Sequence, residues 1–181
     1  QGDNYLGLQG ILSSMDLLGR KEPLHLYAEE GLKNILDANN LYSRTFLQFQ
    51  VVFHPINPGQ SEVLYDDKKI TIRSFPMKHS IPCCGFLFEE KPRPRKLIKE
   101  QLEKYKVPVT DMESLKAGAD FKTGSGGTVP NYELTMPPAV TRKYAYCSDT
   151  VYFEYIIPIV SHADLMYHEA TFTEDMKDRA K

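Results

Sequence analysis

Four separated places in the sequence carry side chains that could bind a metal ion or move a proton. Apolar runs stop abruptly at His79, at Asp149 and at His168–Glu169, and Asp3 stands just before an apolar helical pattern. Imidazole and carboxylate groups are both metal ligands and proton-transfer groups. Each residue taken singly is more typical of a helix cap or a surface position. Because strands in a protein core do not need such endings, the set together indicates one site at a sheet edge.

The cysteines and the remaining histidines do not add a metal-binding motif. The chain has three cysteines, an odd number, two of them adjacent, and no Cys-x-x-Cys spacing. This pattern is not typical of a disulfide framework, so we expect a reducing, cytoplasmic location. The cysteines are Cys83, Cys84 and Cys147, and the histidines expected to be non-catalytic are His25, His54 and His162.

The elements that position these residues follow from apolar periodicity. Spacing of three and four residues predicts helices over 6–18 and 29–39, the first ending at Gly19. Strands are predicted over 23–27, 46–53, 62–65, 70–75 and 85–89, then from 143 and up to 168, with a helix or turn over 153–160. Strands and helices in this order predict an α/β fold with mixed sheets.

Bulk composition limits the classes of protein. With 181 residues, 41% of them hydrophobic, the chain is long enough for one domain with a real core. A formal net charge of −2 gives no overall attraction to nucleic acid or anionic lipid, so such contacts need a local patch. No apolar run is long enough to span a membrane. The abrupt start at Gln1 and the charged end at residues 173–181 suggest truncation at both ends.

Residues 90–141 differ in character from the rest of the chain. Six prolines and the run Gly124-Ser125-Gly126-Gly127 interrupt it, and the only periodic apolar stretch is a short helix over 97–105. We therefore expect an arm inserted into a single domain over 1–181. The glycine run does not open a helix, so it is expected to be a flexible tip rather than a phosphate-binding loop.

A basic cluster stands at the start of this segment. Five cations fall within nine residues: Lys91, Arg93, Arg95, Lys96 and Lys99. Clustered Lys and Arg are typical of a surface that contacts nucleic-acid phosphates. Four nearby glutamates would equally suit a solvated helix face. Both interpretations stay open at this point.

The order and spacing of four short blocks resemble ribonuclease Z, the tRNA 3′-processing endonuclease of the metallo-β-lactamase superfamily. The blocks are Gly2-Asp3 with Tyr5-Leu6-Gly7-Leu8, Lys78-His79-Ser80-Ile81-Pro82-Cys83-Cys84-Gly85-Phe86, Tyr146-Cys147-Ser148-Asp149-Thr150, and Tyr167-His168-Glu169-Ala170-Thr171-Phe172. The His-Glu-Ala-Thr-Phe string is specific, and the resemblance covers essentially all of the chain.

The resemblance implies a fold, a cofactor and a set of roles. The fold would be an αββα metallo-β-lactamase-type sandwich, here an incomplete copy, with two zinc ions at one sheet edge. His79 would bind one zinc, Asp149 would bridge both, and Asp3 would sit at the second zinc and act as general base. The zinc ions would activate a hydroxide, and Glu169, with His168 in the same relay, would orient a further histidine that protonates the leaving 3′ oxygen.

The implied partners are precursor tRNA and a second copy of the chain. Residues 90–141 would match the family's tRNA-gripping arm, and the basic cluster would lie at the base of that arm. The family is usually a homodimer, in which the arm of one subunit serves the site of the other.

The sequence departs from the family's first motif, His-x-His-x-Asp-His. Gln1 stands at its second histidine and Asn4 at its last, and neutral amides are poor zinc ligands. The family's later ligand motifs would lie beyond Lys181, and the arm lacks the family's Gly-Pro pair. Three hypotheses therefore stay open: a tRNA 3′-endonuclease, a non-catalytic RNA-binding homologue, and another phosphodiesterase of the same superfamily.

Overall fold

The computed structural model describes residues 2–173 and 175–176. Its helices are α1 (Gly2–Tyr5), α2 (Leu8–Leu17), α3 (Glu30–Ser43), α4 (Lys99–Lys104), α5 (Met112–Lys116), α6 (Asn131–Leu134) and α7 (Ile157–Val160). Its strands are β1 (Leu24–Ala28), β2 (Val51–Pro55), β3 (Glu62–Asp66), β4 (Ile70–Pro76), β5 (Cys84–Glu90), β6 (Lys96–Leu97), β7 (Phe121–Lys122), β8 (Thr128–Val129), β9 (Thr135–Met136), β10 (Lys143–Cys147) and β11 (Leu165–His168).

The first layer joins two helices to a small parallel sheet. Strand β1 pairs with β2 from Leu24 opposite Val51 to Ala28 opposite Pro55. Apolar side chains of α2, α3 and this sheet form one core around Leu12, Leu36 and Phe49. The apolar spacing predicts this buried face only in part, because Ile11, Leu18 and Ile35 share the spacing but are exposed.

A five-stranded sheet in the order β11-β10-β5-β4-β3 carries the residues of interest. Strand β10 runs parallel to β11 and antiparallel to β5, which in turn is antiparallel to β4. One face packs around Phe75, Leu87 and Cys147, and the segment around Ile156 covers it. This register brings the ends of β4, β10 and β11 and the start of β5 to the same edge of the sheet.

The segment over 90–141, which is predicted to be an inserted arm (the inserted segment), is more structured than its sequence pattern predicts. Between Lys96 and Met136 it holds three helices, a 3-10 turn and two small antiparallel sheets, β6–β9 and β7–β8. These elements enclose a separate core of Leu102, Val107, Leu115, Phe121, Val129 and Leu134. The residues of this core are scattered along the chain, so helix or strand periodicity did not predict it.

The strand and helix predictions are otherwise confirmed with small shifts of their bounds. The clearest difference is the predicted strand over 46–53, which begins only at Val51. The pairing with β1 starts there, while Phe49 turns into the core against α2 and α3. Among the described residues, no helix is both long and apolar enough to cross a membrane.

Candidate functional site

The candidate site lies at the sheet edge where β4, β5, β10 and β11 meet. Cys147 at the end of β10 is opposite His168 at the end of β11, and Pro76 of β4 is opposite Cys84 of β5. The residues that follow these strand ends are those that the sequence singled out. Because β10 and β11 are parallel, their polar endings reach the same edge.

Asp149 is held in an unusual backbone conformation next to Asn4. Its φ of 57° lies in the left-handed region, which few residues other than glycine adopt. The Asn4 side chain donates from Nδ2 to Asp149 Oδ2 over 2.5 Å, across 145 positions of sequence. The structure thus places residue 4 beside Asp149, and its amide occupies one oxygen of the carboxylate. Gln1 and the side chain of Asp3 lie outside the described residues.

Thr150 joins the loop after β10 to the loop after β4. Its hydroxyl is 2.9 Å from the Val151 carbonyl and 3.3 Å from both the nitrogen and the carbonyl oxygen of Lys78. The Val151 amide also donates to the Lys78 carbonyl over 3.0 Å. The side chain is buried, with 6% of its surface exposed. These contacts fix Asp149 and His79, which neighbour Thr150 and Lys78, relative to one another.

The Glu169 carboxylate faces the same loop. One oxygen accepts the Thr150 backbone amide, and the other accepts the Thr171 hydroxyl at 3.2 Å. The Glu169 amide donates to the Cys147 carbonyl over 3.1 Å, which continues the pairing of β10 with β11. Glu169 therefore stabilises the turn that contains Asp149. Its predicted role in orienting a further histidine stays a prediction.

The two histidines of the site have defined ring contacts. His168 Nδ1 is 2.8 Å from the Glu169 carbonyl, and because a carbonyl only accepts, Nδ1 carries the proton. His79 Nδ1 instead accepts the Ile81 amide at 3.3 Å. A neutral His79 ring then carries its proton on Nε2, and a neutral His168 ring has a free lone pair there.

The cysteine thiols at this edge are kept protonated. Burial raises the pKa of Cys83, and the nearby carboxylates of Asp149 and Glu169 raise it further. Burial likewise raises the pKa of Cys147, and it raises the pKa of Cys84 to about 11. A protonated thiol is a hydrogen-bond donor, and Cys83 donates its thiol proton to the Asp149 carbonyl over 3.1 Å.

The described side chains of the site supply only part of the donor set that a zinc ion needs. His79 and Asp149 offer the right donor types, since zinc takes three or four nitrogen, sulfur or oxygen ligands. Within the part of the chain that the structure describes, no group of three or more His, Cys, Asp and Glu side chains is placed to hold a metal ion. One Asp149 oxygen is occupied by Asn4, and the His79 Nδ1 lone pair by Ile81. The described side chains do not fit a complete zinc shell.

Some cations of the predicted basic cluster form ion pairs with carboxylates of the same protein. Lys91 pairs with Asp66 at 2.7 Å, and Arg93 pairs with Glu90 at 3.3 Å. Lys99 lies 3.8 Å from Glu103, and both side chains are exposed. These carboxylates reduce the positive charge that a phosphate would meet.

Arg95 and Lys96 differ from each other in the same cluster. Arg95 Nε donates to Thr135 over 2.7 Å and so ties β6 to the core of the inserted segment. Lys96 is exposed at the start of β6. Its side chain, with those of Arg93 and Lys99, is the part of the cluster that a phosphate could reach.

The structure also connects two histidines that the sequence had left apart. His25 Nδ1 lies 2.8 Å from His54 Nε2, and Tyr27 stacks on His54 with ring centroids 4.4 Å apart. Alternation along β1 places His25 and Tyr27 on one face, but the pairing with His54 depends on the β1–β2 register. Both histidines belong to the two-stranded sheet, and their non-catalytic character stays a prediction.

Comparison with known proteins gives a consistent set of relatives. A protein named ribonuclease Z from Bacteroides thetaiotaomicron is 42% identical over 180 residues, covering 99% of this chain and 57% of that protein. Ribonuclease Z from Porphyromonas gingivalis strain W83 is 39% identical, with coverage of 99% and 59%. No protein-family model matches the chain. The resemblance to ribonuclease Z is confirmed by these homologues.

The fold has a solved counterpart. The crystal structure of human tRNase Z, short form, matches with a TM-score of 0.63 at 22% identity, covering 99% of this chain and 57% of that one. The predicted α/β fold of the metallo-β-lactamase type is thereby confirmed. The chain spans somewhat more than half the length of the relatives that it matches.

Proposed function

From this homology to ribonuclease Z, we propose that the chain is part of an endoribonuclease that cleaves precursor tRNA on its 3′ side. The observation that carries the proposal is 42% identity over 99% of the chain to a protein of that name. The meeting of Asp149, His168 and Glu169 at one sheet edge supports it, because these are the side chains that the resemblance assigns to the reaction.

Proton transfer is the chemistry that the described side chains support most directly. The Glu169 carbonyl fixes the proton of His168 on Nδ1, and the side chain is exposed, so Nε2 is available to a bound substrate. Imidazole is suited to this task because its pKa lies near neutral pH. We assign His168 and Glu169 to the proton relay at the leaving 3′ oxygen, and Asp3 to the general base.

The affinity of the chain for zinc depends on how many donor side chains it supplies. Asp3, His79 and Asp149 are its candidate donors, and three donors shared between two ions are fewer than a zinc ion needs. Gln1 and Asn4 add amides where imidazoles would complete the set. We therefore propose that the chain binds zinc more weakly than a site with histidine at residues 1 and 4.

The proposed partners follow from the inserted segment. Precursor tRNA would contact the exposed side chains of Arg93, Lys96 and Lys99, of which Arg93 and Lys99 are 61% and 86% exposed. A homodimer, with the inserted segment of one subunit serving the other, and a cytoplasmic location complete the proposal. Three free thiols suit a reducing compartment.

Cleavage of a labelled precursor tRNA by the purified chain, resolved on a gel, tests the function. We expect a product cut on the 3′ side, which Asp149→Asn abolishes. Asp37→Asn is the matched control, since Asp37 is an exposed carboxylate paired with Lys33 on α3. Equal cleavage by the wild type and Asp149→Asn would contradict the assignment of Asp149.

Two further measurements, made beside the cleavage assay, separate the other two hypotheses. tRNA binding without cleavage, at any added zinc concentration, would identify a non-catalytic RNA-binding homologue. Hydrolysis of bis-p-nitrophenyl phosphate without cleavage of tRNA would identify a different phosphodiesterase.

A further inference from the structure

The two loops that carry His79 and Asp149 follow different strands, β4 and β10, which are not neighbours in the sheet. Strand β5 lies between them, so no ladder hydrogen bonds join their ends directly. Something else must set the distance between the two loops. Several contacts cross this gap: Thr150 and Val151 both bond to Lys78, and the Cys83 thiol donates to the Asp149 carbonyl.

The backbone amide and the backbone carbonyl of Lys78 both form hydrogen bonds with Thr150 or Val151. The Lys78 amide donates to Thr150 Oγ1 at 3.3 Å, and its carbonyl accepts the Val151 amide at 3.0 Å. The hydroxyl in turn donates to the Val151 carbonyl at 2.9 Å. One buried hydroxyl therefore acts at once as an acceptor for one loop and a donor to the other.

The backbone amide of Thr150 is bound by a residue of a third loop. Its amide donates to the Glu169 carboxylate, which follows β11. Thr150 is thus held by three loops, those after β4, β10 and β11. Asp149, the residue before it, has a positive φ that is unfavourable for a residue with a side chain unless its surroundings impose it.

We propose that Thr150 is a positioning residue for the candidate active site, whose hydroxyl ties the His79 loop to the Asp149 loop and holds Asp149 facing Asn4. The assignment of a catalytic task to these loops rests on the proposed function. The tie itself does not, because it is formed by hydrogen bonds that can be measured without substrate or metal.

Residue-resolved amide exchange by NMR on the full chain tests the tie. Thr150→Val removes the hydroxyl but keeps the branched shape, and Thr150→Ser keeps the hydroxyl. In Thr150→Val we expect the Lys78 amide to exchange about three- to tenfold faster, the range for one lost hydrogen bond. The Val151 amide should also exchange faster, because its acceptor, the Lys78 carbonyl, is no longer held by the hydroxyl. The Asn4 side-chain amide resonances should also move, and Thr150→Ser should restore both readouts.

Thr135→Val is the matched control. Thr135 is another buried threonine, 2% exposed, whose hydroxyl is hydrogen-bonded within the inserted segment. Its loss should change exchange in that segment and leave Lys78 and Val151 as in the wild type. Unchanged exchange at Lys78 in Thr150→Val, or no restoration by Thr150→Ser, would overturn the proposal.

The cleavage assay keeps this inference separate from the proposed function. If the chain cleaves precursor tRNA, Thr150→Val should lower kcat about tenfold or more with KM nearly unchanged, and Thr150→Ser should recover most of it. Equal kcat in Thr150→Val and the wild type would overturn the positioning role while leaving the function intact. If the wild type does not cleave, the function fails, and amide exchange with the Asn4 resonances still decides the role of Thr150.

Discussion

Replacing Gly85 by alanine should weaken the sheet at the edge that carries the candidate site. Gly85 lies in β5, opposite Phe75 of β4. A Cβ atom at residue 85 would lie 2.6 Å from two ring carbons of Phe75 and 2.9 Å from the Tyr146 carbonyl oxygen. Real Cβ atoms essentially never approach other atoms this closely, so the neighbours would have to move.

The loss of stability depends on whether those neighbouring atoms can move. Phe75 is 1% exposed and belongs to the main core of the sheet, so its ring has no free space to enter. Tyr146 contributes backbone, which moves only with β10 and the Asp149 loop beyond it. Overpacking of a well-packed core costs about 1–3 kcal/mol, and with two rigid neighbours we expect the upper part of that range.

Gly10→Ala is a control for which the expected change in stability has the opposite sign. Gly10 lies inside α2, and apart from the nearby backbone of its own helix no atom lies within 4 Å of the position its Cβ would take. Alanine in a helix interior is favoured over glycine by about 0.8–1.0 kcal/mol. The same chemical change should therefore stabilise the chain at residue 10 and destabilise it at residue 85.

Urea unfolding followed by circular dichroism measures both changes as differences in the free energy of unfolding. We expect Gly85→Ala to unfold at lower urea and Gly10→Ala at higher urea than the wild type. A Gly85→Ala protein within about 0.5 kcal/mol of the wild type would refute the packing argument. Destabilisation by both variants would show that loss of glycine, rather than the clash, is responsible.

Four further predictions concern the site, the basic cluster and the inserted segment. Asn4→His should raise the zinc content of the purified chain measured by atomic emission, because imidazole is a zinc ligand and an amide is a poor one; unchanged zinc content would contradict the ligand position of residue 4. Arg93→Gln with Lys96→Gln should weaken tRNA binding and lower the slope of log affinity against log salt by about one per lost phosphate contact; an unchanged slope in fluorescence anisotropy would exclude both side chains from the interface. Leu134→Ala, at a residue with 0% exposure, should cost about 2–5 kcal/mol in urea unfolding, and a loss below about 1 kcal/mol would mean that the inserted segment unfolds independently. Hydrogen bonds from Lys91 and then Thr71 hold the pKa of Asp66 below its ordinary value of 3.8, so the stability it contributes is present above that pH and is lost as the pH falls through the lower folded value. Asp66→Asn should therefore lower the thermal unfolding midpoint more at pH 7 than at pH 2, and equal losses at both would contradict the ion pair.

Much of the fold was predictable because its signals are local. The apolar runs that end at Asp149 and at His168 are the strands β10 and β11, and the periodic stretch that starts near Leu8 is α2. Residue types and their periods determine whether a short stretch forms a helix or a strand. The core of the inserted segment was missed because its residues are spread over short elements with no regular period.

The basic cluster shows where local pattern is insufficient. Five cations within nine residues predict a positive surface, yet Lys91, Arg93 and Lys99 lie within ion-pair distance of carboxylates, and Arg95 supports Thr135. A pattern of charges records composition along the chain. It does not record which charges the fold neutralises.

The sequence by itself determined which residues stand at strand ends and that those residues can bind metal or move protons. Only the tertiary structure decided that Asn4 contacts Asp149 across 145 positions and that Thr150 joins the loop of His79. It also decided that Glu169 is engaged with the Thr150 amide. The physical reason is that such contacts depend on strand order and register, which arise from the packing of distant segments rather than from the local preferences of any one of them.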